Sequence, residues 1–331
     1  MKKIDAFTHI IPEKLLPIME ERVRQFLAQP YVKARPSLVN LSQRLETIAN
    51  WGDYSQIITL STPPLELWTS PDEEQKIARL ANEAMAEIVE SYPARFAGFA
   101  ASVNLLDVDS AIKEAEYAVV QLGALGVQIF TNVKGMPLDQ KIYEPFFATI
   151  EEFKKPIWLH PYRLGSFSDY VGETGFKYGI DVKFGWPYET TVAMTRIIFS
   201  GILQKYPDLK IITHHGGGLV PHLVGRLALQ HELDEQLQAM DISQEYNQRK
   251  VLDEYRKFFA DTVFSGEDAP FVCTIEFFGI NHVIFASDFP WGPQGGVLFV
   301  ESTIQSIERT IQDEASKAKI FHQNLEDICS L

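Results

Sequence analysis

Eight short apolar, β-branched runs recur along the chain, each followed by a longer segment with helical spacing. This alternation constrains the fold more than any other feature. The runs are Ile4–Ile10, Gln56–Leu60, Phe96–Val103, Gly126–Phe130, Pro156–Leu159, Lys210–Thr213, Phe258–Val263 and His282–Ser287. Stretches such as Ile57-Ile58-Thr59-Leu60 and Val283-Ile284-Phe285-Ala286 lack the polar alternation of a half-exposed strand. Both faces of such a strand must be buried, as in a parallel sheet covered by helices. Helical apolar spacing fills Asp107–Leu122, Leu138–Lys154, Glu189–Tyr206 and Val297–Ile311. Ser70-Pro71-Asp72-Glu73 opens a further helix, and Tyr92-Pro93 closes it because proline cannot continue one.

Eight strands alternating with helices, without a long linker or low-complexity stretch, predict an α/β fold: a single (β/α)8 TIM barrel spanning residues 1–331. A doubly wound sheet would carry a glycine fingerprint after its first strand. Here that strand ends in Thr8-His9-Ile10-Ile11-Pro12, which contains no glycine. Residues 13–52 exceed one helix and are expected to form a helical insertion over the barrel mouth.

The formal net charge of −14, from 30 basic and 44 acidic residues, argues against nucleic acid or an anionic membrane as partner. No run of eighteen apolar residues occurs, and the opening Met1–Pro12 has no sustained apolar core of a leader, so a cytoplasmic protein is expected. Cys273 and Cys329 are too few for a disulfide framework.

In a barrel, chemistry sits at the C-terminal ends of the strands. Those ends here carry His9, Ser61, Asn104, Thr131, His160, His215 and Asp288. Neutral imidazoles and one carboxylate converging on a rim suit a divalent metal with an open coordination position, zinc or another such as manganese. Pro161 pushes His160 toward extended geometry, as a strand end requires. In His214-His215-Gly216-Gly217-Gly218 the glycines let backbone pass close to the site. Alternation sends the two histidines to opposite faces, and His215, next to the glycines, is taken as the inward one. No Lys-Ser/Thr pair follows, so a nucleotide loop is not expected.

The residues resemble the metal-dependent amidohydrolase-related decarboxylases, a family that includes aminocarboxymuconate-semialdehyde and γ-resorcylate decarboxylases. The resemblance is carried by Ile4–Pro12, Gly126–Ile129, Trp158-Leu159-His160-Pro161, Trp186–Thr191, His215–Gly218 and Gly225-Arg226. It continues through Phe259-Ala260-Asp261-Thr262, Phe285–Pro290 and Phe321–Leu325. It implies a (β/α)8 barrel, metal ligation by His9, His160 and Asp288, and His215 as an acid/base beside the metal. It also implies that Arg44 reaches the substrate carboxylate and that Arg226 is a second anion-binding arginine; bidentate pairing gives both a physical reason. Family members are often dimers, which makes a homodimer the expected assembly.

The family places an acidic or histidine ligand two residues before His9, where this chain has Phe7. Residues 7 and 9 share a side of a strand, so an aromatic ring faces the place of a ligand. The resemblance implies non-oxidative decarboxylation of an aromatic or unsaturated carboxylic acid. Asp288 or His215 would protonate the carbon that loses CO2, and Phe7, Trp186, Phe289 and Trp291 would wall a planar substrate. Two alternatives stand beside it: metal-dependent hydrolysis of a lactone, amide or C–C bond, and a metal-free binding protein.

Overall fold

The computed structural model describes residues 1–70, 73–229 and 249–331. Eight parallel strands follow one another in chain order: β1 (Lys3–Ile10), β2 (Tyr54–Leu60), β3 (Phe96–Ser102), β4 (Gly126–Phe130), β5 (Ile157–His160), β6 (Ile211–Thr213), β7 (Phe259–Asp261) and β8 (Val283–Ile284). Backbone hydrogen bonds then join the two ends of the sheet. The N–H of Ala6 donates to Phe285 O (2.9 Å), that of His9 to Phe289 O (2.6 Å) and that of Asp288 to Phe7 O (3.2 Å). The fold is therefore a (β/α)8 barrel, and Asp288 is brought beside β1 by the bonds that close it.

Helices cover the outside. They include Glu74–Ser91, Val108–Val120, Glu144–Glu152, Trp186–Phe199, Asp268–Phe278 and Val297–Thr310. Asp107 caps the second of these, its side chain accepting from the Ser110 N–H. Pro71 and Asp72, read as part of a helix start, lie outside the described residues. The helix expected over Glu189–Tyr206 divides at Gly201, whose φ of +83° is left-handed, and Ile202–Lys205 forms a separate turn. The helix expected from Leu138 starts only at Glu144, because Asn132–Val133 and Met136–Pro137 form a small antiparallel hairpin before it. β8 is shorter than its apolar run, since the Phe285 N–H turns away to Ile320 O. Residues 13–52 hold the short helices Leu16–Arg22, Arg24–Leu27, Pro30–Lys33 and Leu41–Ile48.

Apolar packing divides into two layers. One fills the barrel interior with Ile4, Ile57, Ala100, Trp158, Ile212 and Ile284. The other lies between sheet and helices and includes the neighbours of opposite parity, Ile58, Ala101, Ile157, Ile211 and Val283. Burial on both faces explains why the strands read as continuous apolar runs. Among the described residues no helix is long and apolar enough to cross a membrane.

Candidate metal centre

At the C-terminal end of the barrel, β1, β5 and β6 deliver His9, His160 and His214, each at most 1% exposed. Their ring centroids stand 5.0 to 6.1 Å apart. One ligand atom from each lies within 4.8 Å of the others, and the same holds for His214, His215 and Asp288. His214 therefore takes the inward place expected of His215. The reason is strand parity: Ile212 points into the barrel interior, and the side chain two residues on follows it. His215 has a left-handed φ of +55° and swings its ring between His214 (4.1 Å) and Trp186 (6.0 Å).

The outer ring nitrogens are occupied. His9 Nδ1 meets Thr59 Oγ1 at 2.9 Å, His160 Nδ1 meets the Pro161 carbonyl at 2.7 Å, and His214 Nδ1 meets the Asp261 carboxylate. Such partners fix a ring's tautomer and direct the lone pair of Nε2 inward. His9 Nε2, His214 Nε2 and Asp288 Oδ1 are buried without a hydrogen-bond partner. Asp288 Oδ1 comes within 3.0 Å of His9 Nε2 and 3.4 Å of His214 Nε2 without hydrogen-bond alignment. Buried polar atoms left unsatisfied are costly, and several converging on one point fit a divalent cation.

The charges of the cluster divide. Burial lowers the pKa of His9 and His160, keeping them neutral as a ligand must be. For His214, burial is outweighed by the carboxylates of Asp261 and Asp288, which push its pKa up to about 9, so its imidazole is protonated at neutral pH and a cation at Nε2 would have to displace that proton. For Asp288, burial is likewise outweighed by contact with His214 and His9, which holds the carboxyl far below its usual range. His215, lowered by burial and by His214 to about 3, is neutral. Asp288 sits at φ +66°, a strained conformation for a non-glycine residue at a functional site. Backbone freedom is needed most at Gly216, where φ is +65° and an added Cβ would lie 2.1 Å from the Phe264 ring.

The expected substrate contacts are divided among different places. Trp186 is half-buried, with its ring 5.5 Å from that of His160. Phe7 is wholly buried among the histidine rings, 4.2 Å from His214, 5.5 Å from His9 and 5.7 Å from His160. Phe289 is core rather than wall: it is fully buried, beside Trp51 and under the Arg44 guanidinium. Arg44 is also fully buried. Its nitrogens donate to Gln56 Oε1 (2.9 Å), the His9 carbonyl (2.6 Å), Thr8 Oγ1 (2.9 Å) and the Ser37 carbonyl (3.4 Å). With its donors committed to the protein, it fastens the insertion to β1 and β2 and does not reach a substrate carboxylate, contrary to expectation. Arg226 is exposed on a helical segment after the glycines.

Asp261, His214 and Arg35 lie at the site although they were not among its expected residues. Asp261, a carboxylate ending the apolar run of β7, was legible in the way Asp288 was. His214 was legible by counting two residues from Ile212. Arg35 had no signal, because only the folded insertion sets its guanidinium over the Trp291 ring at 5.3 Å and near enough to Asp288 to feel its charge. Arg35 donates to the Tyr31 carbonyl, and its Nε is buried without a partner.

Residues 58–326 match the family model described as amidohydrolase. A 2-amino-3-carboxymuconate-6-semialdehyde decarboxylase of Dictyostelium discoideum is 28% identical over 72% of this chain and 64% of its own length. A 6-methylsalicylic acid decarboxylase of Penicillium expansum is 27% identical over 93% of this chain and 91% of its own. Among solved structures, a 5-carboxyvanillate decarboxylase of Novosphingobium aromaticivorans complexed with manganese superposes with a TM-score of 0.83. That similarity covers 100% of this chain and 96% of the other at 21% identity, and bears on the fold alone. Barrel, strand-end histidines and family match agree: the chain belongs to the amidohydrolase family.

Proposed function

We propose that this protein is a metal-dependent, non-oxidative decarboxylase of an aromatic or unsaturated carboxylic acid. The observation that carries the reading is the convergence of His9, His160, His214 and Asp288 at the barrel mouth, with His9 Nε2, His214 Nε2 and Asp288 Oδ1 buried and making no hydrogen bond. In this reading His9, His160 and Asp288 hold zinc or manganese. The bound cation supplies Lewis acidity toward the substrate's oxygens.

The half-buried Trp186 offers a face to a planar acid, and Phe7 closes the floor behind the histidines. Arg35 takes the carboxylate-binding part expected of Arg44, since its unpartnered Nε suits a charge-assisted hydrogen bond. Arg226 is retained as a second, solvent-side anion contact. In the free protein Asp288 is ionised and His215 is neutral. A proton from the incoming acid or solvent must therefore be loaded on this pair. Asp288 then delivers it to the carbon bearing the carboxylate, and His215, whose Nδ1 has no partner, exchanges it with Asp288. The C–C bond breaks, its electron pair restores the π system, and CO2 leaves.

The relatives named above are decarboxylases of such acids, which supports the substrate class. Hydroxybenzoates and muconate-like acids should release CO2 when the protein is supplied with Mn2+ or Zn2+. Turnover of esters or amides with no CO2 from any acid would overturn the proposal. A cytoplasmic homodimer, without nucleic acid or membrane as partner, completes the reading. Large side chains exposed between Phe167 and Tyr188 support the dimer, which light scattering in solution checks.

A further inference from the structure

Asp288 carries its carboxylate from a strained backbone, with φ at +66°. Such a conformation persists only where the surroundings over-determine it. The clamp acts on the residue before it. The Ser287 N–H donates to Asp5 Oδ1 (3.0 Å), and the Ser287 hydroxyl donates to Asp5 Oδ2. Ser287 Oγ in turn accepts from the Phe289 N–H (3.2 Å), so one serine ties down the chain on both sides of Asp288. Asp5 and Ser287 are both buried, where water does not compete for these bonds. Asp5 stands on β1, 282 positions before Ser287, and meets it only because the barrel closes. Asp5 Oδ2 has a second partner, the Tyr54 hydroxyl, which itself accepts from Gln56 Nε2 (3.0 Å).

We propose that Asp5 is a positioning residue that acts through Ser287, fixing the strained turn at Asp288 so that its carboxylate stays against His9 and His214. The separations it maintains are 3.0 Å from Asp288 Oδ1 to His9 Nε2 and 3.4 Å to His214 Nε2. Without the Asp5 carboxylate, Ser287 loses the acceptor of both its N–H and its hydroxyl. The backbone at Asp288 is then free to relax toward the negative φ that side chains prefer. Tyr54 shares the same carboxylate oxygen but passes no bond on to the 287–289 turn, so the two partners of Asp5 separate positioning from plain stability. This role for Asp5 rests on the metal-dependent reading above but not on the identity of the substrate.

Cobalt(II) binding to the purified full chain tests it, read as a dissociation constant and as the visible absorption of the bound ion. Asp5→Ala should weaken binding about 10- to 100-fold and alter the spectrum, because a released Asp288 meets the ion in another geometry. Ser287→Ala keeps the backbone bond to Asp5 and should weaken binding about 10-fold, again with an altered spectrum. At saturating metal both should lower kcat for the acid about 10-fold, with KM within about twofold of the native value. Tyr54→Phe should lower thermal stability and leave affinity, spectrum and kcat as they were. Native affinity and spectrum in folded Asp5→Ala and Ser287→Ala overturn the proposal. So does a spectrum changed as much in Tyr54→Phe as in Asp5→Ala, which would make the network structural only. If Asp5→Ala does not fold, Ser287→Ala decides alone. A native chain that takes up no cobalt overturns the metal-dependent reading and this role together. A cobalt spectrum that depends on Asp5 and Ser287, in a chain that releases CO2 from no acid, defeats the decarboxylase reading and leaves the positioning role standing.

Discussion

The ring of Phe7 lies against the imidazole of His214, centroids 4.2 Å apart, and also touches the rings of His9 and His160. One apolar side chain thus supports three polar ones at the top of the barrel interior. Phe7→Ala would open a cavity directly beneath the histidines. A loss of about 3–5 kcal/mol is expected for a fully buried phenylalanine, measured by urea unfolding of the metal-free protein. A loss below about 1 kcal/mol would mean that the rings are held by something other than Phe7.

Arg44 and Arg35 lie in the same insertion and should answer to different assays. Arg44→Met leaves the Gln56 oxygen, the His9 carbonyl and Thr8 without their buried donor. It is expected to cost about 3–5 kcal/mol of stability. Arg35→Ala should cost less than about 1 kcal/mol of stability. It should instead lower kcat/KM about 10- to 100-fold, chiefly through KM, as loss of a charged hydrogen bond worth ~1.5–3 kcal/mol implies. Thermal unfolding and steady-state kinetics on both variants separate the two roles.

Removing metal with a chelator should abolish CO2 release, and Mn2+ or Zn2+ should restore it. Asp288→Asn keeps the side chain's size but neither its charge nor its proton. A fall in kcat of about 10²–10⁴-fold is expected, not recovered by added metal. Full recovery at saturating metal would assign Asp288 to metal retention alone.

Asp5 gives a pH signature in stability. Burial raises its pKa from 3.8 to about 6, against the pull of hydrogen bonds from Ser287 and Tyr54. The folded chain therefore binds this proton more tightly than the unfolded chain does. Its stabilising contribution is complete below pH 3.8 and declines as pH rises toward 6. A shift of roughly two units amounts to ~3 kcal/mol. Relative to Asp5→Asn, the native protein should lose about that much stability between pH 4 and pH 7, in urea titrations with chelator present at both. An equal difference at the two pH values would contradict it.

Much of the architecture was legible because it depends on periodicity. Ile57 and Ile58 are both apolar since one faces the barrel interior and the other the helices, and eight such runs leave few alternatives to a closed barrel. Strand ends such as His9 and His160 were found the same way. His215 stands next to the glycines, but strand parity from Ile212, not that adjacency, sets which imidazole faces inward. Arg44 misled because an arginine's burial is invisible in the sequence; its acceptors are backbone and side-chain oxygens of two other strands and of Ser37.

What the sequence determined by itself was the order of strands and helices and the residue types delivered to the barrel mouth, because local apolar patterning depends on near neighbours along the chain. What folding alone settled is that Asp261 on β7 holds His214 on β6, and that Arg35 rather than Arg44 is left with a nitrogen without a hydrogen bond near Asp288. Those choices rest on contacts between residues far apart in sequence, and such contacts exist only once the barrel has closed.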